Sequence, residues 1–271
     1  MKALYIAMQD PDSRRWAPVA RLRRDKGHYL FDYTRGALSL PNFEPFGRMT
    51  KVGVQYVSDA LFPLFANRVL AAGRPEYHDY LRWLGLTEQD HDALEELART
   101  GGRRATDTLE LVPCPEPTPG GRYELHFFAR GLRHLGAADQ ARAAKLAPGE
   151  RLYLLQDVQS THDAMALMLR TEDPVSLVGY VPRYHCADLS KLLKLAGAET
   201  VTVTAERINP DAPIQYRLLC RLSAPWPEDF QPCAADEFQP IRVVPDARSR
   251  PGNGRSDREL SLAGAETGVA P

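Results

Sequence analysis

Asp157-Val-Gln-Ser-Thr-His-Asp-Ala-Met-Ala-Leu167 and, shortly after it, Val178-Gly-Tyr-Val-Pro-Arg183 are the two stretches on which the reading of this chain turns. The first is a polar loop that sets an imidazole and a carboxylate side by side, His162 and Asp163, ahead of an apolar run ending at Arg170. Glu172-Asp-Pro174 is an acidic turn, and the second stretch is a strand that ends in Gly-aromatic-aliphatic-Pro. The pattern predicts two paired strands with a polar rim at one end.

Working outward, Tyr123 to Arg130 reads as a strand, and Ala137 to Leu146 as an Ala-rich helix broken by Pro148-Gly149. Glu150 to Gln156, Ala164 to Arg170 and Val175 to Val181 read as three further strands. Asp188 is expected to cap a helix with Leu189, Leu192, Leu193 and Ala196 on one side and Gly197 at its end. Thr200 to Ala205 and Tyr216 to Leu222 are strands around the Asn209-Pro-Asp-Ala-Pro213 turn. Six strands with one or two short helices suit a small, closed or nearly closed barrel of the OB-like kind.

Three elements in this region occur in a recognisable order: Gly131-Leu-Arg-His134, the Asp157 to Leu167 loop, and Val178-Gly-Tyr-Val-Pro182. Together they resemble the HIRAN domain, a small β-barrel found beside helicase-like chromatin remodelers and, in bacteria, in short stand-alone proteins. The resemblance covers Tyr123 to about Leu222. Ser160-Thr161 stands where the family has Asn-Pro, His162 where it has Tyr and Met165 where it has Asn, whereas Asp163 and Ala166 match. The resemblance implies a barrel that grips the 3′-hydroxyl end of single-stranded DNA. Arg133 and His134 would contact the backbone and terminal base, and His162 would stack. Asp163 would accept from the terminal sugar hydroxyl, and Arg183 would meet a phosphate. Tyr180 falls at a predicted strand end of the same rim. A plainer reading stands beside this one: Asp163 caps a loop, His162 is half exposed and the arginines are solvated.

Upstream, residues 2 to 8 and Trp16 to Leu22 read as a hairpin, and His28 to Tyr33 as a third strand with Tyr29, Phe31 and Tyr33 on one face. Asp59 to Arg68 begins a helical region; Pro75 opens a helix capped by Gly85. Thr87 and Asp90 suggest a capping box for a helix that ends at Gly101-Gly102. This region loosely resembles the N-terminal subdomain of HipA-type kinases over residues 3 to about 112, without a kinase catalytic segment after it. The fold class expected is therefore α+β: an N-terminal α+β domain (1–112), a Pro/Gly linker (113–122), a barrel with a Pro-rich wrap (123–243) and a disordered tail (244–271). Trp226, Phe230 and Phe238 are the reason to expect that wrap to pack back, since exposed rings leave apolar area in water. The tail is rich in Arg, Ser, Gly and Asp.

A net charge of −1 excludes a global polycationic field, so any nucleic-acid contact must be local. Cys114, Cys186, Cys220 and Cys233 lie far apart with no zinc spacing, and read as free thiols in a reducing compartment. The Met1 to Met8 stretch is too short for a signal-peptide core and no apolar run would span a bilayer, so a cytoplasmic protein is expected. No phosphate-binding Gly-rich loop with Lys-Ser/Thr and no nucleophile-base pair is evident, so neither catalysis nor a cofactor or metal is expected. The leading function is a DNA-end-binding accessory whose protein partner is a helicase, nuclease or other DNA-processing protein. The alternative is a protein-interaction adaptor presenting Phe43, Phe46, Tyr56, Phe62 and Phe65. A metal-dependent nuclease using three of Asp157, His162, Asp163, Glu172 and Asp173 ranks last.

Overall fold

The computed structural model describes residues 3–89, 91–161 and 163–241. The tail expected to be disordered lies outside the described residues.

The first half is built on one antiparallel sheet. β1 (Ala3–Gln9), β2 (Trp16–Asp25) and β3 (His28–Tyr33) form the expected meander. Lys26 and Gly27, both at positive φ (47° and 88°), make the two-residue turn between Asp25 and its partner His28, a geometry whose twist matches that of the strands. Two strands were not anticipated. β4 (Tyr56–Ser58) adds to β3, and β5 (Leu109–Cys114) adds to β1, giving the order β4-β3-β2-β1-β5. Pro113 therefore belongs to a strand, opposite Leu4, rather than to the linker. An edge strand tolerates a proline because one row of its amides has no partner to lose.

The helices here are shorter than their sequence signals. α1 is a single turn, Pro63–Ala66, where helix was expected from Asp59 to Arg68. α2 (Tyr77–Leu84) starts after Pro75 and ends at Gly85 in the left-handed region. α3 (Ala93–Thr100) is capped by Asp92, whose carboxylate accepts from the Leu94 and Glu95 amides, and not by a Thr87 box. Leu94 and Leu97 of α3 pack on the sheet. Phe43, Phe46, Tyr56 and Phe62 ring the buried Phe31, Tyr33 and Phe65 in edge and tilted contacts at 4.9–6.5 Å. The aromatic patch that an adaptor would present is thus largely this half's core.

The second half opens with β6 (Arg122–Phe128), then α4 (Ala137–Ala143), β7 (Arg151–Gln156), β8 (Leu167–Arg170) and β9 (Leu177–Tyr180). α5 (Arg183–Ala196), β10 (Thr202–Ile208) and β11 (Leu218–Pro225) complete it. The six strands follow the order β6-β11-β10-β7-β8-β9. They curl until the two edges meet once: the Arg130 amide donates to the Tyr180 carbonyl at 2.8 Å and the Tyr180 amide returns the bond at 2.9 Å. Tyr123, Leu125, Phe127, Leu169, Val203 and Leu222 fill the interior, with Cys186, Leu189 and Leu192 of α5 laid against them. Asp188 does not cap α5, which begins five residues earlier. His185 and Cys186 are buried and extend the apolar stripe a turn upstream of the leucines, while the Asp188 carboxylate accepts from the Cys233 amide at 2.9 Å.

The halves share a third apolar cluster, in which Tyr77, Tyr80, Leu81 and Leu84 of α2 meet Phe128 and Leu219 on the barrel's outer face. Beyond β11, Phe230 packs on Tyr123 and Trp226, and Phe238 sets its edge on Tyr5 of β1 at 4.9 Å. Pro240 then bridges Thr34, so the wrap is tied to both halves. Among the described residues no helix is long and apolar enough to cross a membrane.

Closure puts two glycines under constraint. Gly131 has φ 76° and a Cβ there would lie 2.9 Å from the Tyr180 ring; Gly179 has φ 136° and a Cβ would lie 2.9 Å from Ala129 Cβ. Gly131→Ala and Gly179→Ala are each expected to lower stability in urea denaturation by about 1–3 kcal/mol, the scale of a strained backbone residue. Gly120→Ala, with only Thr118 Oγ1 near at 3.9 Å, should change it by less than ~0.5 kcal/mol.

His185 gives a pH test. Burial, with Arg130 adding to it, pulls its pKa down from 6.5 to about 4. The folded chain keeps it neutral while the unfolded chain takes up a proton, so its contribution is complete above the unfolded value and is lost as pH falls toward about 4. Stability should drop by about 2 kcal/mol between about pH 7 and pH 5, and His185→Leu should flatten that slope in paired denaturation curves.

Candidate functional site

A cavity of about 830 Å³ opens where the barrel's edges meet. Three pieces of the second half wall it, and the closure positions the first and third of them. β6 runs out into the Arg130 bridge, Gly131 turns the chain in the left-handed region, and a single 3-10 turn follows over Leu132–His134. Leu132 drops into the barrel core, which leaves Arg133 and His134 exposed at the rim. Arg133 Nε donates to His134 Nε2 at 2.9 Å, and no carboxylate pairs with Arg133 among the described residues.

The second wall is the loop between β7 and β8. It is held by its own hydrogen bonds: the Asp157 amide donates to the Ala166 carbonyl and the Ala166 amide to the Asp163 carbonyl. Each aspartate spends one oxygen on the loop, Asp157 Oδ1 accepting from the Gln159 amide at 3.3 Å and Asp163 Oδ1 from the Met165 amide at 3.0 Å. Their other oxygens face charged or polar partners. Asp157 Oδ2 accepts from the Tyr180 hydroxyl at 3.4 Å, and Asp163 Oδ2 lies 3.5 Å from Arg183 Nε. Burial and the Asp157 charge together hold the Tyr180 hydroxyl above the usual tyrosine range.

The third wall is the end of β9 running through Pro182 into α5, which carries Tyr180, Arg183 and Tyr184. Burial pushes the Tyr184 phenol far above its ordinary range, and its hydroxyl has no hydrogen-bond partner among the described residues.

The rim residues expected from sequence, Arg133, His134, Asp163, Tyr180 and Arg183, all line this cavity. His162 lies outside the described residues. Arg170 does not line it; its guanidinium sits over the Tyr153 ring at 4.8 Å. Asp163 has both plain and chemical features: it caps its loop and faces an arginine at once. Sequence reasoning named Asp157 only for the metal-dependent alternative, and it missed Arg130 and Tyr184 as lining groups, together with Trp16, Arg103 and Glu110 from the first half. Arg130 could have been suspected from its place directly before Gly131, which turns the chain in the left-handed region. The three from the first half carry no local signal, since only the packing of the halves brings them here.

The lining holds four arginines, Arg103, Arg130, Arg133 and Arg183, against three acids, Glu110, Asp157 and Asp163. Glu110 pairs with Arg130 at 2.7 Å, so all three acids are engaged within the protein. The cavity is thus locally cationic in a chain of net charge −1. Among the described residues no three His, Cys, Asp or Glu side chains are grouped to hold a metal ion. The arrangement suits binding of an anionic, ring-bearing ligand.

Comparison with known proteins bears on this half. The model of the HIRAN domain family matches residues 123–226. No curated protein matches the chain. Two solved structures are similar: the HIRAN domain of human HLTF, at 15% identity over 45% of this chain and 93% of that one, with a TM-score of 0.32; and a protein from Lactobacillus plantarum, at 16% identity over 38% of this chain and 97% of that one, with a TM-score of 0.30. Likenesses at these scores add no weight to the family match. The segment that closes into the barrel and carries most of the cavity wall, residues 123–226, is the segment that matches the model of the HIRAN domain family.

Proposed function

We propose that this protein is a binding module for single-stranded DNA ends, with preference for a free 3′-hydroxyl, and that it serves as a non-catalytic accessory to a DNA-processing partner such as a helicase or nuclease. One observation carries the reading: Arg133, Asp163, Tyr180 and Arg183 converge on a single cavity within the segment that matches a family of generally DNA-binding domains.

Each group has a role in keeping with its surroundings. Arg133, exposed and paired with no acid among the described residues, takes a backbone phosphate. The half-buried Tyr180 ring, fixed against Gly131, supplies a face or edge for the terminal base. Asp163 Oδ2 accepts from the 3′-hydroxyl, and Arg183 transfers its charge from Asp163 to the last phosphate. A 3′-phosphate would bring its charge beside Asp157 and Asp163, and that repulsion is the source of discrimination.

Fluorescence anisotropy with strands ending in a 3′-hydroxyl or a 3′-phosphate tests this. The hydroxyl strand should bind more tightly, and Asp163→Asn, which keeps an oxygen for the Met165 amide, should remove the preference. Arg133→Ala should reduce the slope of log affinity against log salt by about 0.7, the single-strand value for one phosphate contact. Equal binding of both strands by the unmodified protein would refute end recognition, and no binding would refute the DNA reading altogether.

A further inference from the structure

The cavity wall is not confined to the barrel. Trp16, Arg103 and Glu110 of the first half complete it. We propose that Trp16 and Arg103 form a second nucleotide subsite, in which the Trp16 ring stacks a base and Arg103 holds the adjoining phosphate of the strand whose end sits in the barrel. The inference rests on the reading above and extends it: the binding site would span both halves of the chain.

Position comes first. Trp16 begins β2, is half-buried, and meets the Tyr184 ring edge-on at 6.0 Å with an interplanar angle of 78°. Tyr184 lies one residue beyond Arg183, so a base on Trp16 would neighbour the one held at the rim. Arg103 follows two consecutive left-handed glycines, Gly101 and Gly102 (φ 72° and 54°). A Cβ on Gly102 would lie 2.6 Å from Leu111 of β5, and one on Gly101 would lie within 3.4 Å of Glu110 and Arg130. The turn is therefore pressed onto β5 and the closing bridge, and it delivers Arg103 to the cavity mouth.

Charge supports the same assignment. Arg103 is exposed and has no acidic partner among the described residues, whereas Arg130 and Arg183 each face one. Two uncommitted cations, Arg133 from the barrel and Arg103 from the first half, therefore flank one cavity, which suits a ligand carrying more than one phosphate. Fixity is the last requirement. The Arg130–Glu110 pair and the apolar cluster of Tyr80, Leu84, Phe128 and Leu219 hold the halves together, so the composite wall exists before any ligand arrives.

The test measures affinity of the full chain for 3′-hydroxyl strands of increasing length. For the unmodified protein, affinity should rise once the strand is longer than the one or two nucleotides held by the barrel. Trp16→Ala should cost about ten-fold on longer strands, the scale of one lost stacking contact. Trp16→Phe should restore part of it. Arg103→Ala, at an exposed position where folding is not at risk, should lower the salt slope on longer strands by about 0.7. Trp16→Ala and Arg103→Ala should each keep dinucleotide affinity and the hydroxyl-over-phosphate preference. Variants that bind long strands as tightly as the unmodified protein would overturn the second subsite while leaving end recognition standing. Failure of the unmodified protein to bind or discriminate strands would overturn the end-binding reading, and this inference with it.

Discussion

Two main-chain hydrogen bonds between Arg130 and Tyr180 hold the rest of this molecule in place. A six-stranded sheet left open would expose two edges, each a row of unsatisfied amides and carbonyls. Here the edges touch at one residue pair, and the packing beside it is so close that a Cβ on Gly131 would meet the Tyr180 ring and one on Gly179 would meet Ala129 and the Arg130 carbonyl. The same contact places Arg133 and His134 just beyond one edge and Arg183 and Tyr184 just beyond the other. Barrel closure thus sets two of the cavity's walls side by side.

The contact also explains how the halves cohere. Arg130 is at once a bridge residue, the ion partner of Glu110 on β5, and a neighbour of Gly101 at the end of α3. With α2 packed on Phe128 and Leu219, and the C-terminal wrap running from Phe230 on the barrel to Phe238 on β1, the first half is braced against the cavity from several sides. Substitutions at Gly131 or Gly179 thus bear on the seam as well as on the barrel.

Much of this was legible locally. Alternating apolar residues revealed most strands of both sheets, and Gly85, Gly101 and Gly197 marked helix ends because a left-handed or otherwise strained residue favours glycine. The rim residues could be named because three spaced motifs place them at strand ends. What escaped was whatever depends on distant partners. β5 pairs with β1 across most of the first half and contains a proline, so neither its neighbours nor its composition announced a strand. Asp188 has the look of a helix cap but sits inside α5, because His185, polar by type, is buried and lengthens the helix's apolar stripe. Trp16, Arg103 and Glu110 reach the cavity only through tertiary packing, and no spacing in the chain could reveal them.

The central claim is that single-stranded DNA enters the cavity at the barrel seam and touches both halves. Its most direct test is two-dimensional NMR of the full chain titrated with a short 3′-hydroxyl oligonucleotide, following backbone amides and the indole N–H signals of Trp16, Trp83 and Trp226. The account predicts shifts at Gly131, Arg133, Asp163 and Tyr180 and at the Trp16 indole, with Trp83 and Trp226 unmoved. Shifts confined to other surfaces, or none at saturating oligonucleotide, would contradict it.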